Sequence, residues 1–213
     1  MATRPSFPEE PLRNWPSRGG AMTEEAYHEL ERLSPDRKYE YIGGIAYMMS
    51  GGSVAHDRIA HNMYFALDSR LRNSTCTVFG ADVQVLVGMK RNGQRHFLFP
   101  DVTVSCESAD NRPDNLLIES PCVVIEVLSP STEARDRGVK FRVYQQCSTI
   151  QEIVLVSQFA QYVEVWQRDE RDSATWHYRH YGSNEVVELH SIATSSEMAD
   201  IYRGLKFDEA EEV

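Results

Sequence analysis

The 213-residue sequence has no apolar run that approaches the roughly 18 residues of a membrane span. It does not open with the basic and apolar segments of a secretory signal, so we expect a cytoplasmic protein that does not associate with membranes. The four cysteines, Cys76, Cys106, Cys122 and Cys147, include no CxxC pair, which argues against a zinc site. Their apolar neighbours lead us to expect reduced thiols.

Positive charge is also scarce, with 22 Lys and Arg residues against 32 Asp and Glu and a net charge of −10. A protein that relied on non-specific phosphate contacts would usually be basic, so a role with nucleic acid requires a local basic patch, a metal ion or both. The candidate patches are Arg70 with Arg72, Lys90-Arg91 with Arg95, and a third group of Arg135, Arg137, Lys140 and Arg142. For the first two groups we favour ordinary solvated surface charge.

The composition is otherwise that of a globular protein, with 41% hydrophobic and 25% charged residues, enough for one well-filled core. We predict a single domain over residues 22–207. Residues 1–21, which contain four prolines and Gly19-Gly20, are predicted to form a mobile arm, and residues 208–213 an acidic tail.

Hydrophobic periodicity and turn residues predict the order of elements within this domain. The first part has a helix capped by Thr23, a β-hairpin over Tyr39–Met49 that turns at Gly43-Gly44, and a helix that Ser53 could cap. The next elements are strands at 77–87 and 96–106, a loop at 108–120, a buried strand at 121–128, a helix at about 134–147 and a strand at 152–157. Three final strands, at 162–167, 175–181 and 185–189, are predicted to form an antiparallel meander.

Two acidic residues lie in or beside strongly apolar runs. Asp101 directly follows Pro100 in FLFPDVTV, and Glu126 lies inside VVIEVL. An isolated buried charge is very costly, so each carboxylate must be paired, protonated or bound to a cation. On neighbouring strands, the two would form a natural site for a hard divalent cation.

Several segments, taken in order, resemble the Uma-two family of restriction-endonuclease-like proteins in the PD-(D/E)XK nuclease superfamily. They are Tyr39–Gly44 (YEYIGG), His56 before a helix, Pro100-Asp101, Ile125–Thr132 (IEVLSPST), Asp136 and Lys140. The Pro-Asp pair alone is uninformative, whereas EVLSPST followed by Asp136 and Lys140 is much more specific. The likeness covers about Met22 to Leu205. It implies an α/β (α+β) fold with a restriction-endonuclease-like core, in which helices flank a mixed central sheet and a hairpin and C-terminal antiparallel strands are added.

The resemblance implies a Mg²⁺-dependent endonuclease that hydrolyses DNA, with Mn²⁺ as a substitute and a homodimer for cleavage of both strands. The metal would be held by Asp101, Glu126 and the carbonyl of Val127. Glu40 would be a further ligand or a base that positions water, and Lys140 would orient the water or stabilise charge on the phosphate. Contacts to the substrate or support for these residues would come from His56, Gln84, Thr132 and Asp136.

One position departs from the superfamily pattern, which places a lysine two residues after the acidic residue. That position holds Leu128, and strand alternation puts residues 126 and 128 on the same face. Either Lys140 replaces the missing lysine from the following helix, or the site is impaired.

Simpler interpretations stand beside these assignments. Asp101 could be a turn residue, Glu126 could pair with Arg135 or Arg142, and Lys140 could face solvent. The alternative function is a non-catalytic interaction module that retains the nuclease fold. A sugar-cleaving pair of carboxylates would need a defined separation, which the sequence does not give.

Overall fold

A computed structural model of the chain describes residues 21–49, 51–88 and 93–207. Residues 1–20 of the predicted arm, the Lys90-Arg91 pair and the predicted acidic tail lie outside these ranges. Within the described ranges, no helix combines the length and the hydropathy that crossing a membrane requires.

The helices and strands follow one another in the order that the sequence predicts for most of the domain. They are α1 (Glu24–Leu33), β1 (Tyr39–Ile42), β2 (Ile45–Met48), α2 (Val54–Leu71), β3 (Thr77–Gly80), β4 (Gln84–Gly88), β5 (Arg95–Leu98), β6 (Val102–Ser105), β7 (Leu117–Ile118), β8 (Pro121–Leu128), α3 (Glu133–Arg135), a π-helical turn (Asp136–Lys140), α4 (Phe141–Gln146), β9 (Glu152–Ser157), β10 (Val163–Arg168), β11 (Trp176–Tyr181), β12 (Val186–Leu189), β13 (Thr194–Glu197) and α5 (Met198–Ile201). Short 3₁₀ turns cover Ser108–Asn111 and His190–Ile192.

Local signals explain where the first elements begin and turn. Thr23 and Ser53 cap α1 and α2 by accepting backbone N–H groups of Ala26 at 3.3 Å and His56 at 3.1 Å. Gly43 and Gly44 have φ values of 60° and 86°, the positive values that the two-residue turn between β1 and β2 requires. The predicted caps and hairpin are therefore confirmed.

The strands form two main sheets and one small one. The first sheet has the order β2-β1-β5-β4-β7, the second β11-β10-β9-β8-β6-β3, and β12 pairs with β13. Both main sheets are mixed, because β4–β7 and β8–β9 are parallel while the other neighbours are antiparallel. The predicted class, a mixed sheet flanked by helices, is confirmed, with two main mixed sheets where the sequence predicts one central sheet.

Strand β8 lies between two hydrophobic cores and explains why Glu126 points where it does. Val123, Ile125 and Val127 pack on the side of α2. Val124 and Leu128 face the other way, into the core between the two main sheets and α4. Burial of a side chain of this size stabilises the folded state by about 1.5–3 kcal/mol. A shift of β8 by one residue, which would exchange its two faces, is therefore strongly disfavoured. Glu126, in step with Val124 and Leu128, is thereby directed between the sheets.

The structure corrects two of the predicted strands. The predicted strand at 77–87 is divided into β3 and β4, and the one at 96–106 into β5 and β6. In each case the two halves belong to different sheets. The second break falls at Phe99–Asp101, where Pro100 has no N–H to donate to a ladder. Asp101 therefore lies where the chain passes from the first sheet to the second.

Three smaller expectations are also corrected. Of the predicted meander, β10 and β11 do pair antiparallel, but β12 pairs with β13 instead of β11. The predicted loop at 108–120 contains β7, which pairs with β4. The spacing of Tyr27, Leu30 and Leu33 predicts an apolar stripe along α1, but Leu33 at its end is 54% exposed.

The prediction of four reduced cysteines is wrong for one pair. Cys76 precedes β3 and Cys106 follows β6, and Thr77 pairs with Ser105 in the antiparallel ladder between them. The two cysteines therefore face each other and form a disulfide, while Cys122 and Cys147 are free. Only the strand pairing brings together residues that are 30 positions apart.

Candidate active site

A cleft with an empty volume of about 490 Å³ opens between β1, β8, the start of β6 and the helical segment from α3 to α4. Most of the predicted site residues line it: Glu40, His56, Asp101, Glu126, Thr132, Asp136 and Lys140. These residues come from five separate parts of the chain. The fold therefore gathers them at one place.

The amine of Lys140 lies at the centre of the acidic residues. Its Nζ is 2.6 Å from Glu126 Oε1, 2.9 Å from Glu40 Oε1 and 3.4 Å from Asp136 Oδ1. Lys140 is only 3% exposed, so the interpretation of a solvent-facing lysine is wrong. Glu126 pairs with this lysine, so the alternative in which Glu126 pairs with Arg135 or Arg142 is also wrong.

The π-helical turn delivers Lys140 to the cleft. The Phe141 N–H donates to the carbonyl of Asp136, which widens the helix by one residue at this turn. Asp136 and Lys140, at the two ends of the turn, are both buried. Arg142, two residues after Lys140 and therefore turned about 200° from it on a helix, is exposed.

Burial controls the ionisation of this cluster. It raises the pKa of Glu126 well above its ordinary value, against the opposing charge of Lys140. It raises the pKa of Asp136 in the same way. Burial by itself opposes the charged form of Lys140, but the charges of Glu126, Glu40 and Asp136 outweigh it and raise the lysine pKa. The amine is therefore a fixed cation shared by several acids.

Two further groups hold the carboxylates in place. Tyr144, one turn after Lys140, donates its hydroxyl to Glu126 Oε1 at 2.5 Å, and burial raises the pKa of this tyrosine so that it remains a neutral donor. The Phe99 N–H donates to Glu40 Oε1 at 3.2 Å. Glu40 is 2% exposed and directed into the cleft, as expected from the sequence.

Asp101 is oriented from two sides. Its Oδ2 accepts the Val127 N–H at 2.7 Å and lies 3.2 Å from His56 Nε2. Burial by itself lowers the pKa of His56, but the hydrogen bond and the charge of Asp101 outweigh it, so the pKa is raised. A hydrogen bond to the Val127 backbone adds to this rise. His56, Asp101 and the Val127 backbone are thus one connected group.

The turn after β8 supplies hydroxyl groups at the edge of the cleft. Ser129 Oγ lies 2.9 Å from Thr132 Oγ1 and 3.2 Å from Ser131 Oγ. The side chain of Thr132 also hydrogen-bonds Asp136. Sequence reasoning missed Ser129 and Ser131, and it missed the role of Tyr144, which the four-residue spacing from Lys140 could have indicated.

Besides Val127, whose backbone N–H donates to Asp101, Gln84 is the one predicted site residue that does not line this cleft. Its Nε2 donates to the Tyr27 hydroxyl at 2.7 Å and to Glu31 Oε1 at 3.1 Å, so it joins β4 to α1. Val85 and Val87 fill the core between the sheets, and alternation therefore turns Gln84 to the opposite face.

A preformed cage of three or more metal-binding side chains is absent from the described residues. Within the cleft, Lys140 engages both Glu40 and Glu126. Magnesium does not require such a cage, since it keeps several waters and commonly binds through one or two carboxylates together with substrate phosphates. Asp101, Glu126 and the Val127 carbonyl have the donor chemistry of a site of that kind.

The mixed sheets, flanking helices and buried cleft place the chain among proteins with a nuclease fold. A family model described as "Putative restriction endonuclease" matches residues 24–198, and the chain belongs to this family, Uma2. The resemblance inferred from the sequence is thereby confirmed.

The chain is also similar to two relatives and to one solved structure. The chain is 34% identical over 186 residues to "Uncharacterized protein slr1290" of Synechocystis sp., covering 87% of this chain and 94% of that protein. It is 27% identical over 150 residues to "Uncharacterized protein sll1609" of the same organism, covering 69% and 81%. The crystal structure of "a putative nuclease belonging to DUF820" from Anabaena variabilis matches with a TM-score of 0.62 and 16% identity, over 78% of this chain and 90% of that one. At this identity the likeness shows the fold alone.

Proposed function

We propose that this protein is a Mg²⁺-dependent endonuclease that hydrolyses DNA phosphodiester bonds. The observation that carries the proposal is the convergence of Asp101, Glu126, Glu40 and Lys140 in one cleft of a Uma2-family chain. With every acid counted as ionised and His56 as neutral, the four carboxylates of the cleft, Asp136 included, exceed the two cations Lys140 and Arg135 by two formal charges. A divalent cation would balance that excess.

Asp101, Glu126 and the Val127 carbonyl would hold the metal. A bound divalent ion polarises the scissile phosphate and lowers the pKa of an attacking water. The Val127 N–H and His56 fix the Asp101 carboxylate through Oδ2, so Oδ1 is the oxygen we assign to the cation. The protein thus orients this ligand before the substrate arrives.

Lys140 would stabilise the negative charge that develops on the phosphate during cleavage. Glu126 and Glu40 fix its amine, so little reorganisation is needed as the reaction proceeds. Glu40, anchored by the Phe99 N–H, would orient the attacking water or accept its proton. Lys140 would take the role of the lysine that the superfamily pattern places at the position of Leu128.

The second candidate function is a non-catalytic interaction module, which the net charge of −10 favours. Such a module has no requirement for a metal at Asp101 and Glu126. The homodimer, which cleavage of both DNA strands would require, stays a prediction.

The test is the Asp101→Asn variant, assayed by calorimetry with Mg²⁺ or Mn²⁺ and by cleavage of plasmid DNA. We expect metal binding and cleavage to be lost while circular dichroism shows the protein folded, because the amide oxygen of an asparagine side chain can still accept the Val127 N–H. Asp114→Asn is the matched control, since Asp114 is exposed and outside the cleft.

Two results would contradict the proposal in different ways. Unchanged Mn²⁺ affinity in Asp101→Asn would overturn the metal site. A wild-type protein that leaves plasmid DNA intact with either metal would favour the interaction module.

A further inference from the structure

Arg135 is a cation of the cleft that has no role in the mechanism above. It is the last residue of α3 and lines the cleft just before the π-helical turn. The centre of its guanidinium lies 5.1 Å from the centroid of the Tyr47 ring. Its Nε is buried and has no hydrogen-bond partner among the described residues.

The next arginine in the chain is arranged quite differently. Arg137 donates to Glu133 Oε1 at 2.8 Å and to both carboxylate oxygens of Glu164, at 3.0 and 2.5 Å. Within the described ranges no carboxylate pairs with Arg135. A buried donor without a partner is costly, and stacking on an aromatic ring offsets only part of that cost. Arg135 is therefore held in place but not neutralised.

The position of Arg135 follows from the hairpin and from the π-helical turn. Tyr47 on β2 is directly opposite Glu40 on β1, so both side chains lie on the same face of the sheet. In an α-helix, Arg135 and Lys140 would point about 140° apart, since each residue turns the helix by 100°. The wider π turn between them lets both reach the cleft.

We propose that Arg135, supported by Tyr47, is the residue that binds a phosphate of the nucleic acid strand in this cleft. The inference rests on the proposed function and names the contact by which that substrate is recognised. Lys140 is shared among three carboxylates and His56 faces Asp101, so Arg135 is the cleft cation with capacity for a new anion. Its planar fork can donate two parallel hydrogen bonds to phosphate oxygens.

This contact explains how a chain with a net charge of −10 can bind DNA. Broadly basic proteins bind through many weak phosphate contacts, and the strongly acidic composition argues against that mode here. A single unneutralised guanidinium inside an acidic cleft, together with a divalent cation, attracts a phosphate at one defined position.

The test measures binding of 5′-phosphorylated tetrathymidylate by calorimetry, with EDTA and again with Mg²⁺, and its integrity is checked on a gel. We expect Arg135→Ala to weaken binding tenfold or more and to lower the slope of log K against log salt by about 0.7, the value for one lost contact to a single strand. Arg135→Lys keeps the charge but loses the planar guanidinium fork. Its affinity should therefore lie between those of wild type and Arg135→Ala. Arg142→Ala, an exposed arginine of the same helical segment, should change affinity less than twofold.

The outcomes separate this inference from the proposed nuclease. Equal affinity of wild type and Arg135→Ala, or no binding by wild type at millimolar tetrathymidylate, would overturn the role of Arg135. Plasmid cleavage with Mn²⁺ is measured in parallel. Binding that depends on Arg135 without any plasmid cleavage would overturn the nuclease and leave the phosphate site standing.

Discussion

Lys140 is the residue on which the candidate site most depends. Its amine forms ion pairs with three carboxylates. Two of them, Glu126 and Glu40, are as deeply buried as the lysine itself. Removing an ion from water costs several kcal/mol even in real proteins, and well-packed apolar residues are often at least as stable as a buried ion pair. Burial raises the pKa of Glu126 even beside Lys140, as expected for a carboxylate that is costly to bury in its charged form. A cluster with this cost fits the preorganised chemistry proposed above better than a purely stabilising role.

Lys140→Met is expected to lower Mn²⁺-dependent plasmid cleavage by about 100-fold or more, because a positioned charge is lost. It should also reduce the free energy of unfolding by about 3–5 kcal/mol, the usual result when buried charges lose their partner. Rates must therefore be measured at a temperature at which circular dichroism shows the variant folded.

The control for Lys140 is Tyr144→Phe, which removes a neutral donor from the same Glu126 oxygen. We expect it to slow cleavage less than tenfold. Both variants should retain metal binding in calorimetry. A Lys140→Met protein that cleaves at the wild-type rate would show that this amine is structural.

At the scale of elements, the segment between β2 and α2 decides where His56 lies. Ser53 caps α2 and also donates to Gln158 Oε1 at 2.9 Å, which ties the start of this helix to the loop after β9. A Cβ atom on Gly52 would lie 2.8 Å from His56 Nδ1, too close for the ring to stay where it is. Gly52 is thus required by the position of the imidazole against Asp101.

Gly52→Ala is expected to displace His56 and to lower cleavage about tenfold or more, since a shift of 1 Å near reacting groups can cost about 100-fold. Gly51→Ala is the matched control, because no atom lies within 4 Å of a Cβ there. The measurement is the cleavage rate of each variant, together with the NMR resonances of the His56 ring. Identical ring resonances in Gly52→Ala and wild type would contradict the steric argument.

At the scale of the whole molecule, a buried histidine links global stability to pH. His96 on β5 is 2% exposed, and its Nδ1 accepts the Gly43 N–H at 3.1 Å, which joins the hairpin turn to the first sheet. Burial lowers the pKa of His96 below its ordinary value of 6.5. The unfolded chain then binds the proton more readily than the folded one, so this contribution is present above pH 6.5 and is lost as the pH falls.

We therefore expect the free energy of unfolding, measured with urea, to fall with pH below about 6.5, by up to about 1.4 kcal/mol per pH unit from this one group. His96→Gln should remove that part of the pH dependence, and His61→Gln, at an exposed position, should keep it. Glu126 and Asp136 contribute with the opposite sign because their pKa values are raised, so the difference between wild type and variant is the quantity to compare. Parallel pH profiles for wild type and His96→Gln would contradict the prediction.

Much of the fold was predictable because local patterns report local physics. The caps Thr23 and Ser53, the Gly43-Gly44 turn and the apolar run of β8 each fix a helix start, a turn or a buried strand without distant partners. The breaks within 77–87 and 96–106 were missed because alternation continues on both sides of each interruption. Membership in one sheet or another depends on partners that are remote in the sequence.

The sequence alone singled out candidate site residues that the fold brings to one cleft: Asp101 after Pro100, Glu126 inside an apolar strand, and Lys140 in the helix that follows. Helical spacing places Tyr144 and Cys147, four and seven residues after Lys140, on the same side of the helix, and all three are buried. The contacts between these side chains depend on the tertiary structure. It paired Lys140 with Glu126 and Glu40, turned Gln84 to the outer face, joined Cys76 to Cys106 and left Arg135 without a carboxylate. The physical reason is that burial and charge pairing depend on distances across the two sheets, and those distances are set by the packing of the whole chain.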